Sequence, residues 1–224
     1  PTQVVDQVAA VLHQNWQASD QIQQAMDVLL KSSAFLNTWG EKIKRPFERT
    51  IAAMRQVEYS FHFNPQNEHS NWHYWGFTDS GQMPYNWTAP NGYPDTKAFW
   101  LGASSNMSTW KYIQWISRFR DPDNGDTPFN NILNITTAGI PVAADRTPNN
   151  IVNFWYQKIC GYSPANDMQN KLAEFMSYQD NTNPTPSDPD TAVDLNSNDW
   201  PGYHQERLFA VVSTIFLTAE YSYR

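Results

Sequence analysis

Along almost the whole chain apolar residues return at every third or fourth position, and no alternation of apolar and polar residues lasts beyond a few positions. That period is the repeat of one helix face, whereas a half-buried strand repeats every second residue, so the sequence predicts an all-α fold with little or no strand. Val4, Val5, Val8, Val11 and Leu12 mark a first helix from Val4 to Trp16. Ile22, Ala25, Met26, Leu29 and Leu30 mark a second, with Ser19-Asp20 as its N-cap, and the two read as a hairpin. Pro46 and Glu48 suit the first turn of a third helix, which runs through Phe47, Ile51, Met54 and Val57 to about Phe61. A short helical piece over 72–77 and helices over 96–101 and 105–119 follow. Thr147-Pro148 starts a helix that Gly161 stops, Ser163-Pro164 repeats the device ahead of Met168, Leu172, Phe175 and Met176, and a last, strongly apolar helix spans 203–221. The least regular interval is 121–148, with an extended piece or loop over 132–142, and the prolines of 180–190 make that segment a surface loop. The expectation is a single helical domain over 1–224, an irregular multi-helix bundle with long ordered loops.

Charge and composition remove several function classes. The net charge is −7, with 15 Lys and Arg and no basic run beyond Lys42-Ile-Lys-Arg45, so nothing forms the stripe that a nucleic-acid backbone requires. The longest apolar run, Leu208 to Leu217, is about half the roughly 20 residues needed to cross a bilayer. Cys160 is the only cysteine, which excludes an internal disulfide and a cysteine metal knuckle, and its place at the end of an apolar helix suits packing rather than reactivity. With 10 Trp, 11 Tyr and 12 Phe and few lysines, the composition points to an exported chain, and three Asn-x-Ser/Thr sites at Asn86, Asn106 and Asn134 are glycan acceptors in such a chain. No basic or apolar leader precedes Pro1, as in a mature or trimmed secreted protein, and the expected location is secreted or cell envelope.

The segment from Gly81 to Asp95, closed by Trp100, is too stiff and too aromatic for an ordinary connector. Pro84, Pro90 and Pro94 fix backbone angles, Gly81 and Gly92 permit turns, and Tyr85, Trp87, Tyr93 and Trp100 supply large apolar faces. Three stretches, Lys44-Arg-Pro-Phe-Glu-Arg-Thr-Ile-Ala-Ala-Met-Arg55, the Gly81-Gln-x-Pro…Pro90-Asn-Gly-Tyr-Pro-Asp95…Trp100 loop and Leu217-Thr-Ala-Glu-Tyr-Ser-Tyr-Arg224, resemble in order and spacing the domain of unknown function 1800 family. The resemblance covers about 1–224. Two departures stand out: Tyr93 occupies a place where that family more often has Trp, and 121–145 is an insert without a counterpart. Members are usually about twice this long, so the resemblance implies a C-terminal half, and a second chain corresponding to the N-terminal half is an implied partner. It also implies export, and it brings no agreed activity.

Candidate sites fall into two groups. Trp72, Trp75, Tyr85, Trp87, Tyr93 and Trp100 lie within thirty positions; they either stack on sugar rings, giving a non-catalytic surface for a polysaccharide or protein partner, or pack as core. The stretch from His62 to Trp75 holds three of the five histidines, and His69 and His73, four apart, would share one helix face as a divalent metal requires. Glu68 lies beside His69 rather than inside the pair, so the zinc-protease pattern is absent. Glu68, His69, His73 and Asp95 are the candidates for acid–base or metal chemistry in a hydrolytic enzyme completed by the missing half, and no cofactor is implied. Lys44, Arg45, Glu48 and Arg49 read as a solvated helix face, whereas Arg55, in the apolar run Ala52-Ala-Met54, reads as a buried structural partner of Asp95 or of backbone carbonyls. Asp121, Asp123, Asn124 and Asp126, and again Asp188, Asp190, Asp194, Asn196, Asn198 and Asp199, superficially suggest calcium loops but break the spacing such loops need.

Overall fold

The computed structural model describes residues 2–38, 40–66, 68–118, 130–178, 186–195 and 204–223, and among them twelve α-helices occur and no strand. The fold is all-α. Two compact units can be distinguished, one formed by Pro1–Ile43 with Tyr223–Arg224 and the other by Lys44–Ser222.

In the smaller unit, α1 (Thr2–Gln14) packs on α2 (Gln21–Leu30) as the expected hairpin, and α3 (Ser33–Leu36) follows, capped by the Ser32 hydroxyl, which accepts from the Phe35 amide at 3.2 Å. Asp20 does not cap α2. Its backbone is not extended as a capping residue requires, and its carboxylate accepts from the Gln24 side chain at 2.9 Å instead.

The larger unit contains α4 (Pro46–Gln56), α5 (Glu68–Asp79), α6 (Lys97–Trp100), α7 (Ala103–Ile116), α8 (Ile132–Gly139), α9 (Pro148–Cys160), α10 (Asn166–Ser177), α11 (His204–Phe216) and α12 (Ala219–Ser222). Its centre is α11, which touches α7, α8, α9, α10 and α12 and buries Leu208, Val211, Val212, Ile215 and Phe216 completely. The start and stop signals of α9 are as read: the Thr147 hydroxyl accepts from the Asn150 amide at 3.2 Å, Pro148 occupies the first turn, and Gly161 ends the helix at φ +87°.

Several expectations are corrected. The interval 132–142 is not extended or loop over most of its length; Ile132–Gly139 is a helix, held by burial of Ile132 and Thr136 and by the Trp155 indole, which donates to the Thr136 hydroxyl at 2.8 Å. Helix α4 stops at Gln56 rather than near Phe61, because Glu58 turns to φ +49°. Helix α5 extends well beyond 72–77 at both ends. Ser163 is not a cap; its hydroxyl accepts from the Gln157 side chain, and Ala165 precedes α10. The last helix breaks after Phe216 and resumes as α12.

The arginines exchange roles. Arg55 is exposed, whereas Arg49 is only 1% exposed, because the helical turn places 49 with Pro46, Thr50 and Ala53 on the inward face. Asp121 to Asp126 and Asn196, Asn198 and Asp199 lie outside the described residues. Asp188 and Asp190 form a polar turn, with the Asp190 amide donating to the Asp188 carboxylate at 3.0 Å.

Candidate functional site

The stiff loop between α5 and α7 is built upward from a buried ring. The Trp100 indole donates to the Pro94 carbonyl at 2.7 Å, and the Tyr93 hydroxyl donates to the Met83 carbonyl at 2.8 Å, so each end of the loop is tied by an aromatic side chain. The Tyr93 ring lies 5.9 Å from Trp100, and Trp87 lies 4.8 Å from Tyr93. Phe99 stands edge-on to both Trp100, at 4.8 Å, and Trp87, at 6.2 Å. Trp100 is therefore foundation, Tyr93 is an intermediate layer, and Trp87 and Phe99 are the outer rings, half-buried and exposed respectively. Tyr85 extends fully into solvent with φ +62°, a backbone angle that a residue with a bulky side chain adopts only when its surroundings impose it.

The α5 candidates separate into an inner and an outer set. Trp72 faces inward between His69, edge-on at 4.6 Å, and Trp115, edge-on at 5.3 Å. His73 is 6% exposed and is enclosed by the rings of Tyr59, Phe61, Tyr112 and Trp115. Its Nδ1 is 2.6 Å from the Tyr112 hydroxyl and its Nε2 is 3.3 Å from the Tyr59 hydroxyl. Burial, aided by nearby His69, lowers its pKa from the ordinary value to about 4, and burial raises both tyrosines above theirs. Both ring nitrogens of His73 are thus engaged by tyrosines, and a metal bound there would have to break one of those contacts. Among the described residues, no group of three His, Cys, Asp or Glu side chains is arranged to hold a metal ion. Trp75 belongs to the outer set, 56% exposed, with its ring edge-on to exposed Tyr74 at 5.2 Å. Glu68, the first residue of α5, and Asp95, in the loop ahead of α6, are both exposed.

The structure thus gathers Trp87, Tyr93 and Trp100 into one stack, gathers Trp72, His69 and His73 into another, and leaves Trp75 and Tyr85 on the surface. Sequence reasoning missed Phe99, although it adjoins Trp100, and it missed Tyr59, Tyr112 and Trp115 around His73. The last two come from α7, and their meeting with α5 is a tertiary fact. Among the glycan acceptors, Asn86 and Asn134 are exposed, but Asn106 is built into the fold: its amide donates to the carbonyls of Trp100 and Gly102 and its oxygen accepts from Arg49. Burial pushes the Cys160 thiol up to about 11, with nearby Glu220 acting in the same direction, so the thiol is a packing group and a poor nucleophile.

The family model described as "Protein of unknown function (DUF1800)" matches residues 1–223. The chain belongs to the DUF1800 family. No curated protein and no solved structure matches it. In this DUF1800 chain the three stretches that carry the resemblance meet around Arg49. The Arg49 guanidinium donates to Asn106 at 2.6 Å, and the Arg49 carbonyl accepts from the Tyr221 hydroxyl. Lys44 caps the arrangement, donating to the Tyr221 carbonyl at 2.7 Å with its ammonium 4.0 Å from the Tyr221 ring centre. Gln82, second residue of the loop, accepts from the Phe47 amide at the start of α4 at 3.0 Å. Since Asn106 also holds the Trp100 carbonyl, the DUF1800 loop is anchored through Arg49 to the end of the chain.

Proposed function

We propose that this DUF1800 chain is a secreted or cell-envelope binding module that takes a polysaccharide on the outer rings of its aromatic loop. One observation carries the reading: Trp87 and Phe99 are presented on a base of Tyr93 and Trp100 whose polar atoms are already bonded within the loop. Sugar rings offer C–H faces that pack on aromatic planes, and a platform ordered before binding loses little conformational entropy when the ligand arrives. Asn86, Thr88 and Asn91, all exposed beside the rings, suit the ligand's hydroxyls. Tyr85, extended into solvent, adds a further ring at the edge.

The hydrolytic alternative rests on His69, His73, Glu68 and Asp95, and the enclosure of His73 by two tyrosines works against a catalytic role for that imidazole. Retention on insoluble polysaccharides distinguishes the readings. Trp87→Ala is expected to abolish retention while far-ultraviolet circular dichroism stays unchanged, because Trp87 supports no buried layer. Full retention by that variant would overturn the assignment, whereas release of soluble sugar by the unaltered protein would favour the enzyme.

A further inference from the structure

A second candidate surface lies elsewhere on the larger unit, in a cleft of about 640 Å³ lined by α7, α10 and α11. Lys111, Gln114 and Trp115 follow the spacing of one helix face at the end of α7, with Arg118 two residues beyond it, and Glu206, Arg207, Phe209, Ala210 and Ser213 share a face of α11. Phe175 of α10 completes the wall. None of these residues belongs to the 81–100 loop, and Trp115 also borders the His73 cage.

The described lining of the cleft differs in sign from the chain as a whole. Among the described lining residues, Lys111, Arg118 and Arg207 are cationic and Glu206 is the one carboxylate, in a chain whose net charge is −7. Arg207 is 9% exposed and fixed in place: its guanidinium sits 5.1 Å from the Phe175 ring centre and 5.4 Å from that of Tyr178, and it donates to the Phe175 carbonyl at 3.1 Å. An arginine packed against aromatic rings keeps its charge and its planar geometry, which suits a carboxylate. Lys111, within α7, and Arg118, two residues past its end, are exposed, and the half-buried Trp115 comes between them in the chain. Alternating cations and flat rings in a cleft of this size match a short chain of rings that carry carboxylates, within the roughly 300–1,000 Å³ typical of ligand pockets.

We propose that this cleft binds an acidic oligosaccharide, its uronate carboxylates held by Lys111, Arg118 and Arg207 and its sugar faces laid on Trp115 and Phe175. The test is titration calorimetry of the full chain with a trimer of galacturonic acid, with its neutral methyl ester, and with inorganic phosphate as competitor. Saturable binding of the acid is expected, weakened by salt and by esterification. The double substitution Lys111→Ala, Arg118→Ala is expected to weaken it about tenfold, and because both side chains are exposed the fold should be unaffected, as circular dichroism would verify. The proposal is overturned if the acid does not bind, if acid and ester bind equally, if the double variant binds as before, or if phosphate displaces the trimer at equal ionic strength.

Discussion

A neutral imidazole donates from one ring nitrogen and accepts at the other, and the hydroxyls of Tyr59 and Tyr112 can answer both roles for His73. Protonation would place a charge among Phe61, Tyr112 and Trp115, so the folded state holds its pKa at about 4, below that of an exposed histidine. The unfolded chain therefore binds more protons than the folded one between about pH 6.5 and about pH 4. The stability that His73 contributes is full above that window and is lost as pH falls through it, by up to roughly 3 kcal/mol. Burial lowers His204 as well, so the pH dependence of the unaltered protein contains more than one histidine. His73→Gln isolates the one at issue: urea midpoints measured from pH 7.5 to pH 4.5 should fall less steeply in the variant than in the parent. Equal slopes would show that the His73 cage is not what the acid disrupts. None of this was legible in the sequence, where His73 stood only as the fourth residue after His69. Arg49 was hidden for the same reason, since a charge at helical spacing looks identical on the wet and the buried side.

At the scale of helices, the approach of α5 to α7 depends on Gly76. A Cβ atom placed there would lie 2.6 Å from the Tyr112 ring, closer than side chains tolerate, and Tyr112 cannot retreat without disturbing His73. Alanine would gain about 1 kcal/mol of helix propensity, yet overpacking of this kind costs about 1–3 kcal/mol and here also displaces a buried hydrogen bond. Gly76→Ala should lower the thermal midpoint more than Gly102→Ala, where an added Cβ meets nothing within 4 Å and only the N-cap preference of α7 for glycine is lost. A stable Gly76→Ala protein would mean that the two helices separate at little cost. Elements were legible where local chemistry and burial agree, as in α9, whose Thr147, Pro148 and Gly161 mark both ends. They were illegible where tertiary contacts overrule propensity. In α8 the β-branched Ile132, Ile135, Thr136 and Thr137 argue against a helix, and the packing of Ile132 and the Thr136–Trp155 bond impose one. The aromatic loop was legible as a stiff segment from its prolines, but the order of its layers, with Trp100 inside and Trp87 outside, is set by hydrogen bonds that spacing does not encode.

Across the whole molecule, apolar burial is distributed unevenly between the two units. Helix α1 buries no residue, α2 buries only Ala25, and Val5, Trp16, Ile22 and Leu36 of the smaller unit are largely exposed. In the larger unit Ile151, Val152 and Trp155 of α9 and most of the apolar face of α11 are completely buried. Amide exchange reports the free energy of the cheapest opening that frees each N–H, and segments with few buried apolar contacts open without the rest of the molecule. The amides of α1 should therefore exchange through local opening, and those of α9 and α11 only through unfolding of the larger unit. Hydrogen–deuterium exchange followed by mass spectrometry is expected to show α9 and α11 protected at least about 100-fold more than α1, a difference of roughly 3 kcal/mol. Equal protection in all three helices would mean that the α1–α2 hairpin opens only when the α9–α11 core does, and would identify the chain as one cooperative unit despite its uneven burial.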